Sequence, residues 1–416
     1  MNYLELMKIK GIPLRVHSSW ILVLFLFTWS SQAELSYLFE AKVSVFMCWW
    51  FGFLSSLLVF GSVLLHELGH SFIALREGVK IKSITLFLHG GIAIKEKECE
   101  TALSSLRVAV AGPLVSVFLT LFFFGSFQFL LSPGSMLSTV FSQLGRINLL
   151  LSVFNLLPVL PLDGGLILKS LVWHFTGNQR KGLRVANSSG KWISIFVLFL
   201  GSFFCLTIGG FYGIWLIFIG WFGFSFSRSQ NQIFTFQDIL SKLKVEEVSS
   251  RGFRILEADN TLVSLSKINS KSSEKNFSSE WILICKSGRW LGYVKQNILN
   301  EVPANCWDNY SISEYCSPLS DLPSINGRQL LWEAVLKLET SSQERLLVLN
   351  LAGLPSGTID RVDIGKEILH KIGIKLPKSF FDISRKQRNY PLGMSLYKLV
   401  QGMISSGLVS QSKENK

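Results

Sequence analysis

The sequence predicts an α-helical polytopic membrane protein of about six transmembrane helices with a small β-hairpin insertion, followed by a soluble α/β domain. Three observations predict it. Half of the 416 residues are apolar (49%), only 17% are charged, and mean hydropathy is +0.37, a balance that excludes disorder, collagen and coiled coil. The 13% aromatic content, with 33 Phe, suits side chains that face lipid. Long apolar runs dominate residues 1–230, whereas apolar and polar residues alternate after them.

A bilayer core needs about 20 mostly apolar residues in a helix. Six stretches qualify: 17–33, 43–65, 108–131, 145–162, 192–209 and 211–227. Positive charge orients them. Lys8, Lys10 and Arg15 precede the first; Arg76, Lys80, Lys82, Lys95, Lys97 and Arg107 lie between the second and third. Lys169, Arg180, Lys181, Arg184 and Lys191 lie between the fourth and fifth, and Arg228 follows the sixth. The intervening loops are nearly bare of charge, so both termini are expected in the cytoplasm. The net charge of +13 therefore reflects membrane topology, and no nucleic-acid partner is expected. No cleavable signal peptide is visible after the first apolar run. The six cysteines form no CxxC pair and read as free thiols in a reducing compartment. Residues 79–94, rich in β-branched residues and carrying Gly90-Gly91, read as an extended hairpin.

The chemistry lies in two motifs. His66-Glu67-Leu68-Gly69-His70 stands at the end of the second span. Positions i and i+4 share a helical face, so His66 and His70 can grip one metal ion, and Glu67 is placed to take a proton from an attacking water. Ionisable residues at membrane depth are costly and mark function. A catalytic zinc site has three protein ligands and an open position. The best third ligand is Asp163, the only Asp in the first 230 residues, in Asn155-Leu-Leu-Pro158-Val-Leu-Pro161-Leu-Asp163-Gly164-Gly165. Pro158, Pro161 and the two glycines break the helix there, and irregular backbone at membrane depth is tolerated where it lines a cavity. Asn155 suits either an oxyanion donor or interhelical glue, and Asn148 reads as glue. His17 reads as an interfacial anchor and His89 as structural or substrate-contacting. His174 and His370 read as solvated.

Together these motifs resemble the site-2 protease family of intramembrane zinc metalloproteases, over residues 10–230. Gly11 to His17, Gly90-Gly91 and Ala111-Gly112-Pro113 extend the likeness. The resemblance implies that His66, His70 and Asp163 ligate Zn2+, that Glu67 is the catalytic base, and that Asn155 orients substrate or stabilises the oxyanion. It implies a transmembrane protein or peptide as substrate, in a multi-pass protein of a bacterial-type plasma membrane.

After a linker at 231–243, two stretches look alike: Trp281–Leu299 around Gly292, and Arg345–Ile364 around Gly357. Each reads strand, Gly turn, strand, helix start, with the helical 329–338 before the second. This resembles a degenerate pair of CBS domains over 244–370, a regulatory module that implies dimerisation. The family's ribose-binding Asp falls on Asp363 in the second copy but on Ile298 in the first, so nucleotide binding is not expected. Residues 371–416 read as a basic, solvated or membrane-surface tail. The competing reading is a non-proteolytic membrane metal-binding or transport protein. A transporter is expected to spread acidic or His side chains over several spans, and here they are confined to His66-Glu67…His70 and Asp163.

Overall fold

The computed structural model describes residues 3–9, 11–39, 43–87, 90–129, 132, 134–207, 211–273, 281–295, 298–341 and 343–409. The chain divides into two compact units between Gln232 and Ile233.

The first unit opens with an antiparallel hairpin, β1 (Tyr3–Ile9) and β2 (Ile12–His17). Strand β2 pairs in parallel with β3 (Ile81–Phe87), and β3 pairs antiparallel with β4 (Gly90–Lys95), giving the order β1-β2-β3-β4. The expected hairpin at 79–94 is thus half of a larger sheet. Ile12, Leu14, Ile84 and Leu86 alternate onto its buried face and pack with Leu68. His89 lies outside the described residues.

Among the described residues, seven helices follow or interleave: α1 (Ser19–Phe39), α2 (Val45–Arg76), α3 (Ala102–Phe129), α4 (Met136–Asn155), α5 (Asp163–Thr176), α6 (Gln179–Thr207) and α7 (Phe211–Lys242). Five of them, α1 to α4 and α6, are long and apolar enough to cross a membrane. The sixth expected span, 211–227, is the apolar front of α7, which falls outside that set. The residues expected as a linker continue α7 as helix to Lys242. Helix α2 runs past the apolar stretch that ends at residue 65 and carries the His66–His70 motif, as the i, i+4 spacing of the two imidazoles predicts. Hydropathy drops there, but the backbone ladder does not need apolar side chains to continue. Polar side chains brace the bundle: Gln143 accepts from Ser31 (2.8 Å) and Ser55 (3.0 Å), while Gln143 and Arg146 donate to Glu34 (2.6 and 2.8 Å). Asn148 donates to Ser62 (3.1 Å), the interhelical glue its position predicts.

The second unit begins with α8 (Val245–Val248) and then repeats one theme. The first copy is β5 (Phe253–Glu257), α9 (Leu262–Ser273), β6 (Trp281–Lys286), β7 (Arg289–Val294) and α10 (Ile298–Glu301). The second is β8 (Ser324–Asn326), α11 (Leu331–Thr340), β9 (Arg345–Leu349), β10 (Pro355–Asp360) and α12 (Arg361–Ile372). In each, the first two strands are parallel and the last two antiparallel. The glycines expected at turns instead lie inside strands, Gly292 in β7 and Gly357 in β10; Gly288 and Gly353, both at positive φ, make the turns. Each residue after those strand glycines reaches into the other copy's lead-in segment. Tyr293 exchanges backbone hydrogen bonds with Ser317 (2.9 and 2.8 Å), and Thr358 does so with Ser250 (2.8 and 2.9 Å).

The expected tail is a correction: it carries α13 (Lys378–Lys386) and α14 (Leu396–Ser405). Leu396, Val400 and Met403 recur at helical spacing and join the core of Leu331, Val335, Leu346 and Ile368. Arg385 of α13 donates to Asp360 (3.0 Å) and Asp363 (3.1 Å), and Ser250 also donates to Asp363 (3.0 Å). Burial, with the Asp360 carboxylate beside it, pushes the Asp363 carboxyl up to about 6. A folded value above the unfolded one stabilises the fold at low pH and is lost as pH rises through about 6. The melting-temperature difference between Asp363→Asn and wild type is therefore expected to move in the variant's favour between pH 5 and 8. A difference that stays constant, measured by thermal shift, would contradict this.

Candidate metal centre

Helix α2 supplies two imidazoles from one face. His66 is only 3% exposed and His70 9%. The third group arrives from a break in the bundle. Helix α4 ends at Asn155, and α5 starts at Asp163 after a turn containing Pro158 and Pro161. A Cβ on Gly164 would overlap the Leu156 and Leu157 carbonyls, and one on Gly165 would meet the Leu160 nitrogen at 2.6 Å. Only glycines let the turn fold so closely onto the start of α5. Ser189 of α6 grips the turn by donating to the Pro158 carbonyl. Asp163 thus sits in the first turn of a helix, where the dipole favours a carboxylate.

The three side chains converge. His66 Nε2 lies 3.1 Å from Asp163 Oδ2, His70 Nε2 lies 3.2 Å from Oδ1, and the two Nε2 atoms are 3.2 Å apart. Their ligand atoms all fall within 4.8 Å of one another. Donors about 2.0–2.1 Å from a tetrahedral zinc stand about 3.3 Å from each other, so this donor set fits the ion. Asn155 Nδ2 lies 3.4 Å from His66 Nε2, at the rim of the same point. Glu67 follows His66 in α2 and is half-buried.

Helix α3 forms the back wall, and composition gave no sign of this. Val108, Gly112 and Ser116, four residues apart, lie on one stripe. The Val108 carbonyl accepts from His70 Nδ1 (2.7 Å), and Ser116 Oγ lies 2.9 Å from His66 Nδ1. Between them, a Cβ on Gly112 would overlap His70 Nε2 and stand 2.7 Å from His66 Nε2. The missing side chain leaves the metal-facing nitrogens clear. Gly112 appeared in the sequence only within Ala111-Gly112-Pro113; the spacing to Ser116 was the available signal. A further tie is the buried Lys169 of α5, which donates to Glu98 (2.9 Å), as does Gln179 (2.7 Å). It fastens the segment after β4 to the helix that begins with Asp163.

The other described histidines stand apart. His17 accepts from the Ser19 backbone (3.2 Å) at the start of α1. His174 is exposed, and His370 is exposed beside Glu367. No disulfide joins the six cysteines.

The profile of Peptidase family M50 matches residues 54–135 and 126–200. The Synechocystis protein sll0528, named as a zinc metalloprotease, is 35% identical over 88% of this chain and 95% of its own length. Rip3 of Mycobacterium tuberculosis, named likewise, is 33% identical over 58% of this chain and 61% of its own. Zinc metalloprotease MJ0392 of Methanocaldococcus jannaschii is 31% identical over 60% and 66%. Among solved structures, the CBS domain of a bacterial CNNM/CorC family Mg2+ transporter covers 34% of this chain and 83% of its own, at 13% identity and TM-score 0.27. A CBS domain-containing protein of Bacillus anthracis covers 32% and 98%, at 14% identity and TM-score 0.27.

Proposed function

The chain belongs to peptidase family M50, and from that membership we propose that it is an intramembrane zinc endopeptidase in which His66, His70 and Asp163 hold the metal. The observation that carries this reading is the convergence of three donors, 3.1–3.2 Å apart, two of them on a helix long and apolar enough to cross a membrane.

Zinc bound there supplies a Lewis acid for the scissile carbonyl and brings the pKa of a coordinated water to about 7. Glu67 takes the proton of the attacking water and passes it to the amine nitrogen as the C–N bond breaks. Asn155, a neutral donor, holds the carbonyl oxygen as it gains charge. Substrates are single transmembrane segments or remnant signal peptides. Such a segment must unwind before its carbonyls are reachable. Strand β4, at the edge of the sheet and in contact with α2, supports capture of the unwound stretch by strand addition.

In this reading α7 supplies the sixth span and both termini are cytoplasmic in a bacterial-type plasma membrane, an orientation the one-sided basic loops support. The CBS-like unit regulates or dimerises the protease without a nucleotide. Asp363, in the ribose-binding place, is already held by Arg385 and Ser250. The test is cleavage of a tagged single-span substrate by the purified protein. Zinc-loaded protein is expected to cut within the span, chelation to stop it, and added zinc to restore it. Zinc binding without cleavage of a panel of single-span substrates would favour a metal-binding protein instead.

A further inference from the structure

Two metal-facing imidazoles are held from behind by different kinds of group. The partner of His70 Nδ1 is the Val108 carbonyl, which can only accept. The proton of that ring is therefore on Nδ1, and Nε2 is left with its lone pair. The partner of His66 Nδ1 is the Ser116 hydroxyl, 2.9 Å away, which can either accept or donate. If it donated, the ring proton would sit on Nε2, facing Asp163 and the other imidazole, and His66 could not ligate. Ser116 is fully buried at 0% exposure, so no water can substitute for it. It stands one helical turn beyond Gly112, whose missing Cβ keeps the same nitrogens clear.

We infer that Ser116 is a positioning residue for the metal centre: its oxygen accepts from His66 Nδ1 and fixes the tautomer and ring orientation in which Nε2 meets the metal. This rests on the ligand assignment proposed above. Ligating histidines commonly depend on such a partner, and its loss costs about 10–100-fold in metal affinity. Ser116 is buried and meets His66 on the ring nitrogen away from Asp163, so its effect passes through zinc binding.

The experiment is zinc affinity of the full chain in detergent, by competition with a chromogenic chelator, alongside the thermal transition of the metal-free protein. Ser116→Ala is expected to weaken zinc binding about 10–100-fold without lowering the metal-free melting temperature by a comparable measure. Ser116→Thr keeps the oxygen and is expected to restore affinity to within about threefold of wild type. Ser116→Val, the same shape as Thr without the hydroxyl, is expected to bind as weakly as Ala. Affinity unchanged in the Ala variant, or Thr no better than Val, overturns the inference. His66→Ala separates the two claims. If that variant keeps wild-type affinity, the ligand assignment itself fails, whatever the Ser116 series shows.

Discussion

Glu67→Gln is expected to lower intramembrane cleavage by about 10²–10⁴-fold, the usual worth of a positioned general base, while one zinc per chain is retained. The side chain keeps its length and its place beside His66 in α2, and it is not among the three convergent donors. Only the capacity to accept a proton is lost. The measurement pairs single-span substrate turnover with metal content on the same preparation. Equal cleavage by both proteins would remove Glu67 from the chemistry and point to a contaminant. Loss of zinc together with activity would move Glu67 from the reaction to the metal site.

Gly112→Ala is the second large effect, and it separates metal binding from the integrity of the helix. In the interior of a helix, Ala is favoured over Gly by about 0.5–1 kcal/mol, so α3 itself gains. The added methyl, however, falls where the two Nε2 lone pairs converge, 2.7 Å from that of His66 and in overlap with that of His70. The rings must swing aside, and the donor triangle opens. Zinc content is expected to fall from one per chain to under about a tenth, a loss of well over 1.4 kcal/mol in binding, with helix content preserved by circular dichroism. Full zinc occupancy at wild-type affinity would show that the metal does not sit between these nitrogens.

Much of this centre was legible because metal chemistry accepts so few residue types. His66, His70 and Asp163 could be picked out by spacing, scarcity and setting, and the structure brings them together with Asn155 close by. Gly112 and Ser116 were not legible, since one acts through an atom it lacks and the other through a partner on a different helix. The apolar run of the second span stops at residue 65, but the i, i+4 pair needs a helix beyond it, and α2 continues through the motif to Arg76. The C-terminal helices were hidden for a related reason. Three buried residues, Leu396, Val400 and Met403, suffice to dock α14 in a segment that is otherwise basic and serine-rich. The two α/β copies were visible as a repeat, but not their exchange of backbone partners, which joins Tyr293 to Ser317 and Ser250 to Thr358 across the copies.

That exchange makes each copy unfinished by itself. Tyr293 needs Ser317, and Thr358 needs Ser250, so half of each closing bridge is encoded in the other copy. Melting one half strands backbone groups in its twin, which binds the pair into a single cooperative step. A disturbance that opens either copy therefore breaks hydrogen bonds belonging to both.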